Sequence, residues 1–252
     1  MSRAFWHAKA FISKIPGAHR LYKTVTTGVG EGKVYRIHVG PLKGMRWKRR
    51  NALSYWYHLG LYEPHVTRLI EQHLRPGDVF WDVGANAGYH SLVASRVVGP
   101  AGHVVAVEAD PDVADVLRGQ LALNNIQNCT VVQAAVCDDA KTVTFMRHPN
   151  QLQSAISTVS GAGVPMTVPC VTLDALLDRF PAPNLMKMDI EGAETIALPH
   201  GRRLFEGALR PRMLLSHHGP EAEAFCRQFL EEHGYTLEAA DGFEQMFTAV
   251  PK

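Results

Sequence analysis

The sequence predicts an α/β protein with a mainly parallel sheet that helices cover on both faces. Strand and helix patterns alternate from residue 79 onward, and the strand patterns are apolar at successive positions, which is typical of parallel strands buried on both sides. The last two strand patterns, 235–239 and 245–250, flank a turn at Ala240-Asp241-Gly242 and predict an antiparallel pair that closes the sheet. With 252 residues, 46% of them hydrophobic, the chain can bury a full core as one large domain.

An N-terminal extension of residues 1–75 is predicted before a main domain of residues 76–252. Val34–Val39 alternates apolar and polar residues ahead of a Gly-Pro turn, which predicts a hairpin. Pro64 then begins a helix pattern that stops at Pro76. The first twenty-odd residues do not resemble a signal peptide, and we expect a helix packed on the domain or a frayed terminus there; a basic helix on a membrane is the alternative.

The main domain contains five strand patterns, with helix patterns between them. The strand patterns are Val79–Val83, His103–Ala109, Thr130–Val136, Asn184–Ile190 and Arg212–Ser216. The helix patterns are Tyr89–Val98, Val113–Asn124 and a stripe from Ala222 to Leu230 that Gly234 ends. Two further strand patterns, Thr142–Met146 and Met166–Leu173, flank the Ser/Gly/Gln-rich residues 151–165, which predict a mobile loop.

Charge, cysteine content and hydropathy exclude several classes of protein. The net charge of +2 creates no global field that would draw the chain to nucleic acid or to a membrane. The four cysteines form no CxxC pair, which favours neither a zinc knuckle nor a dense disulfide framework and fits a cytoplasmic location. Cys170 is expected in the core. No run of eighteen apolar residues occurs, so no transmembrane span is predicted.

The loop GANAG that follows the first main strand indicates a ligand site. Parallel sheets bind ligands beyond the carboxyl ends of their strands, and Gly84 and Gly88 leave room there for a ligand to approach the backbone. Asp82 ends the first strand. Glu108 ends the second, where an acid can accept hydrogen bonds from the two ribose hydroxyls of a nucleoside.

The acid before this loop favours a cationic ligand over a dinucleotide. GANAG lacks the third glycine of the GxGxxG fingerprint, and Asp82 would repel a pyrophosphate. S-adenosylmethionine carries ribose hydroxyls, an ammonium and a sulfonium, so Asp82, the glycine loop and Glu108 together match it better than NAD. Either acid alone would more often be structural, Asp82 as a turn cap and Glu108 as a solvated strand end.

Several short motifs then follow one another between about Tyr62 and His218: FWDVGANAGYHS, VVAVEADP with LALNN behind it, AAV, VTLDALL and LMKMDIEGAE. In this order they resemble the FkbM family of S-adenosylmethionine-dependent methyltransferases. The resemblance implies a Rossmann-like, seven-stranded methyltransferase fold. It also implies methyl transfer to a hydroxyl, typically of a sugar, a glycolipid or a polyketide-like natural product.

The resemblance also assigns the residues that would bind the cofactor. The loop would line its methionine end, Glu108 would hold the ribose, the next two residues would flank the adenine, and the YE pair would pack nearby. The implied residues are Tyr62, Glu63, Asp82, Gly84, Ala85, Asn86, Gly88, Glu108, Ala109, Asp110, Ala134, Ala135, Val136 and Asp189. The chain departs from the family in EADP for the usual EPDP, and in Ser216-His217-His218 for the usual glutamate, which leaves the acceptor open.

A base is needed because methyl transfer to an alcohol requires that its hydroxyl lose a proton. The motif MDIEGAE places Asp189, Glu191 and Glu194 at the end of the fourth strand, where clustered carboxylates raise one another's pKa. Our order of candidates is Asp189, then Glu191, then His217, of which the histidine follows the fifth strand. Adjacent histidines on a strand end point to opposite faces, so at most one of His217 and His218 faces the ligand.

No metal site is predicted, because no HxxxH or comparable spacing occurs, although Asp189, Glu191 and a histidine could together hold a divalent ion. Glu194 could equally be a first-turn residue of the next helix. The basic run Lys43–Asn51 is expected to be a solvated loop, with an anionic acceptor as the alternative.

The sequence leaves two functions open. One is an O-methyltransferase for a small-molecule or glycan hydroxyl, with residues 151–165 as a candidate lid. The other is a non-catalytic protein of the same fold that holds a nucleoside. An NAD-linked oxidoreductase is a weaker third. No strong nucleic-acid signal is present, and the sequence does not indicate an oligomeric state.

Overall fold

The computed structural model describes residues 32–50, 57, 60–147, 155–156, 163–208, 210–239 and 245–252. The strands are β1 Val34–Arg36, β2 Arg46–Lys48, β3 Val79–Val83, β4 His103–Glu108, β5 Cys129–Gln133, β6 Ala135–Val136, β7 Thr142–Arg147, β8 Ala155–Ile156, β9 Val164–Val171, β10 Leu185–Met188, β11 Arg212–Ser216, β12 Tyr235–Ala239 and β13 Met246–Pro251. The helices are α1 Pro64–His73, α2 Tyr89–Val98, α3 Pro111–Leu123, α4 Leu173–Leu177, α5 Glu194–Ala197, α6 Arg202–Glu206 and α7 Pro220–Glu232, with a 3-10 turn at Leu198–His200.

Seven strands form the main sheet, in the order β12-β13-β11-β10-β3-β4-β5. The five strands from β11 to β5 are parallel, whereas β13 runs antiparallel to both β11 and β12. The predicted α/β class, the seven-stranded sheet and its C-terminal antiparallel pair are therefore confirmed. The predicted turn at 240–242 lies outside the described residues.

The core divides between the two faces of this sheet, as the alternation of side chains along a strand requires. Phe80 of β3 packs with α1, α2 and α3, whereas Trp81 and Val83 pack on the opposite face with α7 and the shorter helices. The first cluster also contains residues of the N-terminal segment, including Trp47 and Ile70. The described part of the predicted extension thus shares its core with the main sheet.

The β1–β2 hairpin contradicts the expectation that the basic run is a solvated loop. Trp47 is buried. On either side of it, Lys48 N donates a hydrogen bond to Oε1 of Gln120 in α3 at 3.0 Å, and Arg46 N donates one at 2.8 Å to Oδ1 of Asn124, the C-cap of that helix. The described part of the run therefore includes a strand packed against a helix.

The chain between β5 and α4 forms a second sheet, with the strand order β6-β9-β7-β8. The predicted third strand, Thr130–Val136, is in fact two strands in different sheets, because Ala134 N donates to Glu108 O at 3.1 Å and the chain then turns to pair with β9. The predicted strand Met166–Leu173 ends at Val171, because Thr172 caps α4 by accepting a hydrogen bond from Ala175 N at 3.0 Å.

Cys137 and Cys170 form a disulfide between β9 and the residue that follows β6, with their Cα atoms 6.0 Å apart. Cys170 was expected in the core, but it is only partly buried. Disulfides are uncommon in a reducing cytoplasm. The cytoplasmic location stays a prediction. None of the described helices combines the length and the apolar character that a membrane crossing needs.

Candidate functional site

The glycine loop between β3 and α2 lies in close contact with the loop that follows β10. Gly84 has φ +80°, and a Cβ on it would overlap the carbonyl oxygen of Asp189. Gly88 has φ +86°, and a Cβ there would lie 2.8 Å from the side chain of Leu117. Gly84 is therefore required where the two loops meet, whereas Gly88 allows α2 and α3 to pack.

A cavity of about 540 Å³ opens at the carboxyl ends of the parallel strands, beside this loop. That volume lies in the range of small-molecule and cofactor sites. Its lining includes twelve of the predicted site residues: Tyr62, Glu63, Gly84, Ala85, Asn86, Glu108, Ala109, Ala134, Ala135, Val136, Asp189 and Glu191. The β8 residue Ile156 also lines it and belongs to the segment expected to be a lid. Most of that segment lies outside the described residues.

Glu108 ends β4 and has both carboxylate oxygens bound to the backbone. Its Oε2 accepts a hydrogen bond from Asn86 N at 2.8 Å, and its Oε1 accepts one from Asp110 N at 2.9 Å. Burial raises the pKa of Glu108 to about 7, against the lowering effect of these two hydrogen bonds. Each oxygen retains a lone pair that can accept a further hydrogen bond.

Asp82 lies beneath the loop and does not line the cavity. Its Oδ2 accepts a 2.6 Å hydrogen bond from Ser91, and the ammonium of Lys187 lies 3.8 Å from its Oδ1. The two side chains meet because β3 and β10 are paired with Asp82 opposite Lys187. Burial raises the pKa of Asp82 even though Lys187 opposes this shift. Asp82 therefore faces Lys187 rather than the cavity, and its attraction for a cationic ligand stays a prediction.

Asp110 and His217 also lie outside the cavity lining, as does Gly88. Asp110 caps α3 and forms an ion pair with Arg147, with N–O distances of 2.6 and 2.7 Å, so its carboxylate is occupied. His217 is buried, with its ring stacked on Phe247 and its Nε2 3.7 Å from Glu223. His217, the third candidate for the base, therefore does not face the cavity.

His218 lines the cavity and lies among three carboxylates at the ends of β10 and β11, which agrees with the expectation that only one of the two histidines faces the ligand. Its Nε2 is 3.6 Å from Asp189 and 3.5 Å from Glu191, and its Nδ1 is 3.3 Å from Glu194. Burial lowers the pKa of His218, but the interaction with Glu194 and the other two carboxylates outweighs it and raises that pKa to about 9. The pKa of Glu191 is raised to about 7, by burial first and then by Asp189 and Glu194, although His218 lowers it.

Backbone strain is concentrated around the cavity. Four described non-glycine residues have a left-handed backbone: Glu63, Asn86, Asn125 and Glu191. All except Asn125 line the cavity. Such conformations cost free energy and are often found at functional sites, where the surrounding structure holds them.

The family model for the FkbM methyltransferase domain matches residues 82–237, which contain the glycine loop, Glu108 and the Asp189–Glu194 segment. The chain belongs to the FkbM methyltransferase family. The resemblance inferred from the motifs is thereby confirmed, and so is the predicted cofactor, since the family depends on S-adenosylmethionine.

Two proteins similar to this chain are named as methyltransferases. Hexuronic acid methyltransferase AglP of Haloferax volcanii is 29% identical over 136 residues, which are 52% of this chain and 53% of AglP. Protein-L-isoaspartate O-methyltransferase of Ignicoccus hospitalis is 39% identical over 71 residues, 27% of this chain and 34% of that protein. The chain thus spans between a third and about half of the length of these relatives.

A solved structure shares the fold of this FkbM-family chain. The precorrin-6y C5,15-methyltransferase of Geobacter metallireducens GS-15 superimposes with a TM-score of 0.50 at 19% identity, over 76% of this chain and 90% of that chain. At this identity the likeness shows the fold alone.

The residues of the cavity fit S-adenosylmethionine. Glu108 offers two acceptor oxygens that backbone N–H groups hold in place, as the ribose hydroxyls require. Gly84 has no side chain at the wall of the cavity. Ala109, Ala134 and Ala135 form a small-residue wall beyond Glu108, where a flat base can lie.

Cofactor affinity is expected to depend on the ionisation of Glu108, whose acidic neighbours are Asp110 and Asp82. The raised pKa of about 7 means that Glu108 gains a proton as the pH falls through neutrality, and a protonated carboxyl has fewer lone pairs for the ribose hydroxyls. The dissociation constant of S-adenosylhomocysteine should therefore rise as the pH falls through about 7. Calorimetry from pH 5 to pH 9 tests this expectation, with Glu108→Gln as the control that should show no such slope; a flat profile for the unmodified protein would refute it.

Several residues that line the cavity were not predicted from the sequence: Tyr57, Tyr89, His90, Lys187, Ser216, Gln245 and Met246. Lys187 had a signal, because a lysine within the apolar strand LMKM is unusual and needs a buried partner. Tyr57 had no such signal in the sequence, because it lies before the motifs. The centroid of its ring is 4.3 Å from that of Tyr62 and 5.8 Å from that of Tyr89.

Proposed function

We propose that this chain is an S-adenosylmethionine-dependent O-methyltransferase that acts on a hydroxyl of a sugar or a glycan. The observation that carries the proposal is that Asp189, Glu191 and His218 line the same cavity as Gly84 and Glu108. A donor site and a group of candidate bases therefore share one enclosed space. A site that only held a nucleoside would not need the candidate bases.

The chemistry of transfer makes specific demands on these residues. The bound cofactor supplies an electrophilic methyl group, so that the acceptor oxygen bonds to the methyl carbon while the carbon–sulfur bond breaks and its electron pair stays on sulfur. The hydroxyl proton must pass to a base on the protein. Asp189 is our first candidate for that base and Glu191 the second, because both carboxylates lie at the cavity and are about a quarter to a third exposed.

The aromatic wall of the cavity supports a sugar as the acceptor. Tyr57, Tyr62 and Tyr89 form a cluster of rings on the side of the cavity next to Glu63. The hydroxyl of Tyr57 donates to Asn86 Oδ1 at 3.3 Å, which ties this wall to the glycine loop. Tyr57 and Tyr89 are buried and Tyr62 is partly exposed, so Tyr62 is the ring of this cluster that can contact the apolar C–H face of a sugar while carboxylates accept hydrogen bonds from its hydroxyls. The match to a hexuronic acid methyltransferase over about half of the chain supports the same class of acceptor.

Replacing the proposed base should separate transfer from cofactor binding. For Asp189→Asn we expect the rate of methyl transfer to fall by about 100-fold or more, because general base catalysis contributes at least that factor. The affinity for S-adenosylhomocysteine should change only a few-fold. The assay is transfer of labelled methyl groups from S-adenosylmethionine to a panel of neutral, amino and uronic-acid glycosides.

Glu223→Gln is the matched control, because Glu223 is also a carboxylate 3.7 Å from a histidine but lies outside the cavity lining. Its transfer rate should equal that of the unmodified protein. If the protein binds S-adenosylhomocysteine and methylates no member of the panel, the non-catalytic nucleoside-binding alternative replaces the sugar proposal. If Asp189→Asn retains full activity, Asp189 is not the base.

A further inference from the structure

Asp189, Glu191 and His218 present three ligand-type atoms to one point at the mouth of the cavity. These atoms, a carboxylate oxygen from each acid and a nitrogen of the histidine, all lie within 4.8 Å of one another. Imidazole nitrogen and carboxylate oxygen are common ligands of divalent metal ions. Each of the three side chains is about a quarter to a third exposed, so a partly hydrated ion can reach them.

The spacing of these atoms suits an ion between them better than direct hydrogen bonds. His218 Nε2 is 3.6 Å from Asp189 Oδ1 and 3.5 Å from Glu191 Oε2. A charge-assisted hydrogen bond would be about 2.7–2.9 Å long. By contrast, two ligands at right angles around an ion, with bonds of about 2.1–2.5 Å, are themselves about 3.0–3.5 Å apart.

Glu194 provides an independent indication. It is fully buried, its Oε1 lies 3.3 Å from His218 Nδ1, and its Oε2 takes no hydrogen bond from any residue that the structure describes. Histidines that bind metals usually direct their second ring nitrogen at a carboxylate, which fixes the other nitrogen as the ligand. Glu194 Oε1 accepts a hydrogen bond from Ile190 N at 3.0 Å and lies on the Nδ1 side of His218 without a hydrogen bond to it, so Nε2 is the nitrogen directed at Asp189 and Glu191.

Carboxylates outnumber ammonium groups near the mouth, within the part of the chain that the structure describes. Asp189, Asp82 and Glu63 interact with the ammonium of Lys187, which is 3.5 Å from Asp189 Oδ2 and 3.8 Å from Asp82 Oδ1, while Glu191 and Glu194 lie beside His218. Because Lys187 approaches Oδ2, the Oδ1 atom of Asp189 that faces His218 remains available as a ligand.

We propose that Asp189, Glu191 and His218 bind a divalent cation of the Mg²⁺ or Mn²⁺ type. The binding of the ion follows from this geometry alone, whereas its use rests on the proposed function. In that use, the ion binds oxygens of the acceptor, because such ions keep open positions that water fills until a hydroxyl replaces it. A hydroxyl bound to a divalent ion loses its proton more easily. With the ion bound, Asp189 and Glu191 act as its ligands, and the proton of the hydroxyl passes to solvent water instead of to either carboxylate.

Titration with Mn²⁺ tests the site without requiring turnover. The full chain is freed of metal with a chelator, dialysed and titrated with MnCl₂ while the electron paramagnetic resonance signal of free Mn²⁺ is recorded. We expect one strong site per chain. Asp189→Asn and His218→Ala should each weaken it by at least about ten-fold, whereas Glu223→Gln should leave it unchanged. Binding of S-adenosylhomocysteine by each variant shows that the variant is folded.

Equal Mn²⁺ affinity in all four proteins, or no strong site in the unmodified chain, would overturn the metal proposal. This result is separate from the proposed function, because neither cofactor nor acceptor is present in the titration. A chain that binds Mn²⁺ through these residues but methylates no glycoside retains the metal site and loses the sugar assignment. A chain that binds no Mn²⁺ and methylates a glycoside equally well in excess chelator retains the sugar assignment and loses the metal site.

Discussion

Glu108→Ala is expected to weaken the binding of S-adenosylhomocysteine by about 100-fold or more. The substitution removes two acceptor oxygens for the ribose hydroxyls, and hydrogen bonds to a charged group contribute about 1.5–3 kcal/mol each. It also leaves the N–H groups of Asn86 and Asp110 without their acceptor, so the glycine loop loses an anchor. Isothermal titration calorimetry measures the effect directly.

Asp112→Ala is the matched control for this variant. Asp112 is another carboxylate close to the end of β4, but it is exposed and forms an ion pair with Arg147, 2.8 Å away, outside the cavity lining. Its removal should change the affinity by less than about three-fold, since exposed ion pairs contribute little. Similar losses in the two variants would mean that Glu108 does not hold the ribose.

Gly84→Ala is expected to lower the free energy of unfolding by about 2–4 kcal/mol, through a left-handed backbone and a steric overlap together. The overlap is with the carbonyl oxygen of Asp189, which is backbone and cannot rotate away as a side chain could. The loops after β3 and β10 would have to separate, and cofactor binding should weaken with them. Denaturant unfolding followed by circular dichroism measures the stability.

Gly77→Ala separates the two causes. Gly77 has φ +91°, close to the +80° of Gly84, but a Cβ on it would meet no described atom within 4 Å. Its cost should therefore be only that of the left-handed backbone, about 1–2 kcal/mol. If both variants lose the same stability, the close approach of the two loops is not what requires glycine at position 84.

The parts of the site that lie on strand ends could be predicted from the sequence. Gly84, Glu108 and Asp189 each follow directly from a strand pattern and a short motif, and all three line the cavity. Such predictions succeed because the carboxyl ends of parallel strands meet at one edge of a sheet. The position of a side chain along its own strand is then enough.

Features that depend on a neighbouring strand could not be predicted in the same way. Lys187 balances Asp82 only because of the register between β10 and β3. His218 faces the cavity and His217 does not, and this choice depends on how the chain leaves β11 beside Gln245, whose carbonyl accepts a hydrogen bond from His217 N at 2.9 Å.

Asp110 shows a different limit, that of a role carried over from a motif. The resemblance placed it beside the adenine, which stays a prediction, but did not indicate the partners of its carboxylate, which caps α3 and binds Arg147. Arg147 lies 37 positions further along the chain, at the end of β7 in the second sheet. A partner that distant is decided by the path of the chain between the two sheets, which no local pattern describes.

The disulfide between Cys137 and Cys170 joins the two ends of the segment that contains β7, β8 and most of β9. Their Cα atoms are 6.0 Å apart although 33 residues separate them in sequence, and Cys137 N donates to Val171 O at 3.1 Å. A segment whose ends meet can change in length and content without moving the body that carries it. Phe145 and Ile156 lie in this segment and line the cavity, so changes between the two cysteines can reshape that part of its wall without moving the strand ends that carry Gly84 and Glu108.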